Sequence, residues 1–223
     1  MSTVKQDTRT RDILGTSALR PDGEAKVMGS FSFSSDMWAE NMLWGATLRS
    51  PHPYARIISI DTTAALLISG VSAVITAQDV PGKATYGLIS ADQPVFASDF
   101  VRYMGEPVAA VAADHPEICR RALASIIVNY EVLTPVVDPE LAMLVTTEQI
   151  HPDGNLIRHQ KIICGDPHIS GDITVEGHYT IGMQDQAFLG LEAAMAFPDS
   201  GGNGVELHIA TQWLHEDRGQ IAA

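Results

Sequence analysis

The stretch from Val101 to Leu133 constrains the fold more than any other, because it has the pattern of a strand, a helix and a second strand. Residues 108–113 form an unbroken run of small apolar side chains, which is typical of a strand buried on both faces. From Ile126 to Val132, apolar residues occupy every second position, as they do on a half-covered strand. Two strands joined by a helix usually pair in parallel, so we expect both in one sheet.

The helix between these strands has a clear beginning and one apolar face. Asp114 is the predicted N-cap, Pro116 is tolerated in the first turn and Glu117 completes a capping box. The apolar face then carries five side chains at helical spacing: Ile118, Cys119, Ala122, Leu123 and Ile126. We therefore expect this helix to pack on the sheet, with Cys119 as a small core residue.

The charge of the chain argues against one class of partner. Its 223 residues contain 14 Lys and Arg against 27 Asp and Glu, which gives a formal net charge of −13. Such an acidic protein repels phosphate backbones, so nucleic-acid binding is not expected. The N-terminus is polar, without the apolar core of a secretory signal, and the apolar stretch at 64–77 is too short for a membrane span. These features predict a reduced, soluble, cytoplasmic setting.

Motifs for metal, nucleotide or hydrolase chemistry are missing from the sequence. The two cysteines, Cys119 and Cys164, form no CxxC pair and cannot supply the four thiolates of an iron–sulfur cluster. The eight histidines lack the spacing of zinc ligands, so the sequence assigns no metal ligand. GxSxG, GxGxxG and the P-loop are absent, which gives no support to a hydrolase or to a nucleotide site. If the protein moves electrons, another chain must carry the cluster.

Turn and linker composition divides the chain into four segments. Residues 1–20 are expected to be a flexible lead-in, 21–145 a first domain, 146–172 a linker and 173–223 the start of a second domain. Further elements predicted in the first domain are strands at 42–49, 56–60, 71–76 and 94–96 and short helices at 62–67 and 141–144. Those predicted in the second are strands at 173–181, 193–197 and 205–210 and a helix from residue 213.

A polar connection, GMQDQAFLGLE at 182–192, follows the strand predicted at 173–181. It contains four side chains able to form hydrogen bonds: Gln184, Asp185, Gln186 and Glu192. The residues themselves leave two interpretations open, a polar connection between strands or part of a binding site.

Several ordered motifs carry a resemblance to a known family. They are LRSPHPYARIISID at 48–61, GVSAVIT at 70–76, DQPVF at 92–96, RYMGEPVAAVA at 102–112 and VNYEVL at 128–133. In this order they resemble the molybdenum-containing subunit of the xanthine dehydrogenase and aldehyde oxidase family, in particular its bacterial purine-degrading type. The resemblance implies an α/β (α+β) fold. A small hammerhead domain at 21–145, with a mixed sheet and a packed helix, would precede the first strands of a truncated molybdopterin-binding domain.

The resemblance, rather than spacing, assigns a role to one side chain. In that family a glutamine in the stretch that corresponds to 182–192 approaches the molybdenum centre. By position it is Gln184, whose amide would contact an oxo ligand of the metal. The family's pterin holds molybdenum through its own sulfurs, so no protein ligand to the metal is required. The family's catalytic base, a glutamate, would lie beyond this chain, so no catalytic residue is assigned.

The function implied by the resemblance is part of a molybdenum hydroxylase that oxidises purines or aldehydes with water as the oxygen source. Its cofactor would be a molybdenum–pterin group only partly enclosed here, with FAD and 2Fe–2S groups on partner subunits of a hetero-oligomeric dehydrogenase. The chain alone is expected to be incomplete and inactive. The alternative is a non-catalytic docking module or an inactive fragment of a disrupted molybdenum-subunit gene.

Overall fold

The structure is a computed structural model that describes residue 17 and residues 19–166, 168–169, 171–187, 192–202 and 204–223. The chain divides into two compact units. One comprises the chain up to Trp38 together with Gln186–Gln212, and the other comprises Ala39–Asp185 together with Trp213–Ala223. Most of the lead-in predicted at 1–20 lies outside the described residues, and the domain boundaries proposed from the sequence stay a prediction.

Short strands and a few helices make up the described chain. The helices are α1 Gly23–Val27, α2 Thr63–Leu66, α3 Pro116–Ser125, α4 Pro139–Ala142 and α5 Leu214–Ile221. The strands are β1 Trp44–Arg49, β2 Ala55–Asp61, β3 Val71–Thr76, β4 Thr85–Tyr86, β5 Gln93–Pro94, β6 Phe100–Val101, β7 Pro107–Ala113, β8 Ile127–Val132, β9 Ala194–Pro198 and β10 Val205–Ile209. The predicted α+β class is confirmed.

The central strand of the larger unit is β7, which has β1 on one edge and β3 on the other, both antiparallel. Ala109, Val111 and Ala113 point to one face of β7, because side chains alternate along a strand, and all three are buried. They pack in one core with Cys119 and Ala122 of α3. The predicted buried strand and the predicted apolar face of the helix are therefore confirmed.

A second, smaller core involves the opposite face of the same strand. Val108 of β7 is buried with Ala55, Ala97 and Val101 beneath the three-stranded sheet β6-β2-β8. Because the two faces of β7 contribute to two different cores, both must be apolar. This explains why the run at 108–113 contains no charged or polar side chain.

The prediction that β7 and β8 pair in parallel is wrong. The two strands lie in different sheets, and β8 pairs antiparallel with β2, for example Tyr130 opposite Ile57. Both edges of β7 are already hydrogen-bonded to β1 and β3, so β8 has no edge of β7 available to it. The crossover helix α3 therefore carries the chain from one sheet to the other. Every strand pairing in the part of the chain that the structure describes is antiparallel.

The N-cap of α3 is His115, not Asp114 as the sequence predicts. The Nδ1 atom of His115 accepts the backbone N–H of Glu117 at 3.1 Å, and His115 has extended φ and ψ angles. A residue before proline is driven out of the helical region, so Pro116 as first helical residue makes its predecessor the cap. Asp114 instead donates its backbone N–H to the carbonyl of Gly70 at 2.9 Å.

The outcome for the C-terminal strands is divided. The strands predicted at 193–197 and 205–210 are confirmed as β9 and β10, which pair antiparallel with Val205 opposite Pro198. The strand predicted at 173–181 is wrong for this structure, in which these residues form neither helix nor strand. No described strand pairs with them, and the backbone ladder bonds that define a strand require a partner. Among the described residues, no helix has the length and hydropathy needed to cross a bilayer.

Candidate functional site

The candidate cofactor contact, Gln184, lies in the irregular segment 171–187 and its side chain is exposed to solvent. Asp185 and Gln186, its neighbours in the polar connection, are also exposed. Residues 188–191 of that connection lie outside the described residues. Nothing in the described chain tests the role assigned to Gln184, which stays a prediction. Its amide is exposed and is not enclosed by the residues around it, so a bound group could contact it.

The described residues contain no group of three or more His, Cys, Asp and Glu side chains placed to hold a metal ion. Cys119 is buried and its Sγ atom lies 3.0 Å from the carbonyl oxygen of Trp44, whereas Cys164 is exposed. Burial raises the pKa of the Cys119 thiol, which disfavours the thiolate that metals bind. Cys119 is thus a packing residue, as the sequence predicts.

An open cleft that the sequence did not predict lies in the larger unit. It has a volume of about 340 Å³ and is formed by Tyr54, Phe100 and Arg102 on one side and residues 148–152 on the other. The Tyr54 hydroxyl donates to Oε1 of Glu148 at 3.4 Å, and Arg102 Nε donates to the carbonyl of Ile150 at 3.3 Å. These bonds join the segment after α4 to the residue before β2 and the residue after β6.

The electrostatics of this cleft suit a structural contact better than acid–base catalysis. Burial, and then the neighbouring charge of Glu148, raise the pKa of Tyr54, so its phenol stays protonated and keeps donating. The Arg102 guanidinium lies 5.9 Å from the centre of the Phe100 ring and is partly engaged there. The contributing residues are about 50 to 100 positions apart, and only the tertiary fold brings them together, so no local motif could reveal the cleft.

Glu106 is the most deeply buried charged side chain among the described residues, and it lies in the turn between β6 and β7. It is 2 % exposed, and its Oε2 atom accepts the backbone N–H of Arg102 in a short hydrogen bond. The backbone of the same turn is tied to Ser50, which donates to the Glu106 carbonyl at 2.9 Å and accepts from Gly105 N–H at 2.8 Å. Because a buried acceptor that lacks a donor is costly, these bonds fix the turn in one conformation.

Taken together, these features define a class of protein: an α+β domain in which β7 contributes to two apolar cores, one with α3 and one with the sheet β6-β2-β8, and whose described residues contain no cluster of metal-ligating side chains. Residues 28–134 match the a/b hammerhead domain of aldehyde oxidase and xanthine dehydrogenase. Residues 28–134 therefore form a domain of this family.

Similar proteins agree with this family. The chain is 37 % identical over 209 residues to a probable xanthine dehydrogenase subunit of Bacillus subtilis, with 92 % of this chain and 28 % of the relative covered. It is 33 % identical to the nicotinate dehydrogenase large molybdopterin subunit of Eubacterium barkeri, with 94 % and 50 % covered. The crystal structure of the aldehyde oxidoreductase of Desulfovibrio desulfuricans aligns with a TM-score of 0.57 at 30 % identity, over 64 % of this chain and 17 % of that chain. The chain therefore spans between a quarter and a half of the length of the two curated relatives.

Proposed function

We propose that this chain is the hammerhead-bearing part of the molybdenum-containing subunit of a hydroxylase that oxidises purines or aldehydes with water as the oxygen source. The observation that carries the proposal is the match of residues 28–134 to the hammerhead domain, together with relatives whose names include a molybdopterin subunit and a xanthine dehydrogenase subunit. Electrons would leave through iron–sulfur and FAD groups on partner subunits.

The described side chains are compatible with a molybdenum–pterin group that is held mainly by residues outside this chain. They supply no metal-ligand cluster, and a pterin that binds the metal through its own sulfurs needs none. Gln184 would hold the group by donating its amide N–H. Its side chain is exposed, so the group could reach the amide. When bound, the group would supply the two-electron oxidation chemistry.

The experiment compares three forms of the assembled enzyme: wild type, Gln184→Ala and the matched control Gln186→Ala. Both glutamines are exposed and two positions apart, so they differ in the assigned role and not in burial. If Gln184 stabilises developing charge, its loss should lower kcat by about a hundredfold, as for other preorganised amide donors, while the control stays near wild type. Equal activity of all three forms would remove Gln184 from the site. Molybdenum content is measured on each sample, so cofactor loss is distinguished from a catalytic defect.

We further propose that the 223-residue chain alone does not turn over xanthine, because the resemblance places the family's catalytic glutamate elsewhere. The purified chain is assayed with xanthine and with aldehydes, using an artificial electron acceptor and a molybdenum determination. Bound molybdenum together with substrate oxidation by this chain alone would overturn this part of the proposal.

A non-catalytic docking module is the second candidate. One observation favours it: the unit that contains β1 to β8 has two complete apolar cores of its own. Such a unit can fold and present a surface without a cofactor. A pull-down with iron–sulfur and flavin subunits separates the candidates, since a docking module retains these partners when molybdenum is withheld and no activity is present.

A further inference from the structure

The open cleft in the larger unit has the size and the apolar walls of a site for a small ligand. Its volume of about 340 Å³ lies at the lower end of the roughly 300–1,000 Å³ that is usual for small-molecule sites. One wall is aromatic, because the rings of Tyr54 and Phe100 are stacked with their centroids 6.1 Å apart and their planes 20° apart. The other wall includes Ile150 and Pro152. Apolar groups therefore line two sides of the space.

The same cleft contains one cation and one anion, Arg102 and Glu148. Each uses one atom to hold a wall of the cleft: Arg102 Nε donates to the Ile150 carbonyl, and Oε1 of Glu148 accepts from the Tyr54 hydroxyl. Among the described residues, neither side chain forms an ion pair. The terminal nitrogens of the guanidinium and the second carboxylate oxygen are therefore available to a ligand.

We propose that this cleft binds a free aromatic amino acid, whose carboxylate pairs with Arg102, whose ammonium group pairs with Glu148 and whose ring packs against Phe100. Arginine is suited to the carboxylate because its planar fork donates two parallel N–H···O bonds. The guanidinium lies 5.9 Å from the centre of the Phe100 ring, so the charge and the aromatic contact are adjacent. No molybdenum group takes part, so this site is independent of the proposed function.

The two charges favour a ligand that carries both signs over one that carries a single charge. Burial raises the pKa of Tyr54 most, Glu148 raises it further and Arg102 lowers it, so both charges act on the same hydroxyl group. An anion alone would be repelled by Glu148, and a cation alone would be repelled by Arg102. A zwitterion meets an opposite charge at each end, and its aromatic ring gains contact with the Phe100 ring.

The test is a titration of the full chain followed by the NMR shifts of its backbone amides. The four ligands are L-phenylalanine, phenylacetate with the anion alone, phenethylamine with the cation alone, and L-leucine with both charges but no ring. A ligand of about a dozen non-hydrogen atoms should bind with a dissociation constant of about 1 mM. The amides at 100–102 and 148–151 should shift. The other three ligands should bind about fivefold more weakly, since an exposed ion pair contributes up to about that factor.

Two charge variants assign each end of the ligand. Glu148→Gln keeps an acceptor for the Tyr54 hydroxyl and removes the charge, so it should weaken L-phenylalanine and phenethylamine about fivefold and leave phenylacetate no weaker. Arg102→Gln should weaken L-phenylalanine and phenylacetate and leave phenethylamine no weaker. The matched control is Arg56→Gln, because the Arg56 guanidinium lies 5.6 Å from the same Phe100 ring but does not line the cleft. This control should change no affinity.

Several results would overturn the proposal. One is the absence of a saturable shift with L-phenylalanine at about twenty times the expected dissociation constant. Others are equal binding of L-phenylalanine and its single-charge analogues, and shifts confined to residues outside the cleft. Equal loss of all ligands in both charge variants would show that Arg102 and Glu148 only hold the walls together. Glu148→Gln retains the bond to Tyr54, so it still decides the question if Arg102→Gln fails to fold.

Discussion

Truncation of Val111 offers the sharpest test of the central role of β7. Its side chain is 1 % exposed and belongs to the core beneath α3. The substitution Val111→Ala removes two carbon atoms in the middle of a strand whose two edges are hydrogen-bonded. The surrounding residues therefore have little freedom to move into the space that the substitution leaves.

The expected loss follows from these contacts. Two buried carbons are worth about 1.6 kcal/mol of transfer free energy at ~0.8 kcal/mol each. The cavity left by incomplete collapse adds to this, so the free energy of unfolding should fall by about 2–3 kcal/mol. Such a loss is a large fraction of the ~5–15 kcal/mol that stabilises a typical domain.

The matched control is the same substitution on a strand surface. Val132, at the end of β8, is 60 % exposed, so Val132→Ala should change the free energy of unfolding by less than about 0.5 kcal/mol. Urea unfolding followed by far-UV circular dichroism gives both free energies, provided that the free energy of unfolding depends on urea concentration with the same slope in each variant as in wild type. Faster hydrogen exchange of the backbone amides at 107–113 in Val111→Ala would place the loss of stability in β7. The reasoning is refuted if Val111→Ala is as stable as wild type or if Val132→Ala is the more damaging of the two.

Three further predictions follow from individual contacts. Glu106→Ala should lower the free energy of unfolding by about 1–3 kcal/mol, because it leaves the buried Arg102 N–H without its acceptor. Glu106→Gln keeps an acceptor and should lower the free energy of unfolding by less. Equal urea midpoints for the two variants would contradict this. A thiol reagent should modify Cys164 rapidly and Cys119 only after unfolding, since burial raises the pKa of Cys119 as well as blocking access; two fast thiols in the native protein would be the contrary result. A hydrogen bond from the first N–H of α2 lowers the pKa of Asp61 below 3.8. The stabilisation that this bond adds is therefore present above pH 3.8 and lost as the pH falls through the lowered value, which an NMR titration of the carboxyl group measures.

Much of the local structure could be predicted because its signals are local. The run at 108–113, the helical spacing at 118–126 and the strands predicted at 193–197 and 205–210 each lie within one element or one hairpin. The structure accordingly contains β7, α3 and the β9–β10 hairpin close to where the sequence places them. The cap of α3 differs by one residue, since Pro116 restricts the residue directly before it.

Local sequence patterns predicted less about the candidate site than about the fold. Gln184 was assigned by resemblance and not by any pattern of charge or spacing, and its exposed position leaves the assignment a prediction. The cleft between Tyr54, Arg102 and Glu148 could not be predicted, since its contacts join residues about 50 to 100 positions apart. Sequence patterns report which face of an element is apolar, and they do not report which distant element covers it.

By itself, therefore, the sequence determined the kind of element and the buried faces of β7 and α3, because periodicity and capping depend on neighbouring residues. Only the tertiary structure decided the partners. It placed β8 beside β2, since β1 and β3 already hydrogen-bond both edges of β7. It also left 173–183 outside any strand despite its alternating pattern, because a strand is completed by the edge it pairs with, and no described strand pairs with this segment.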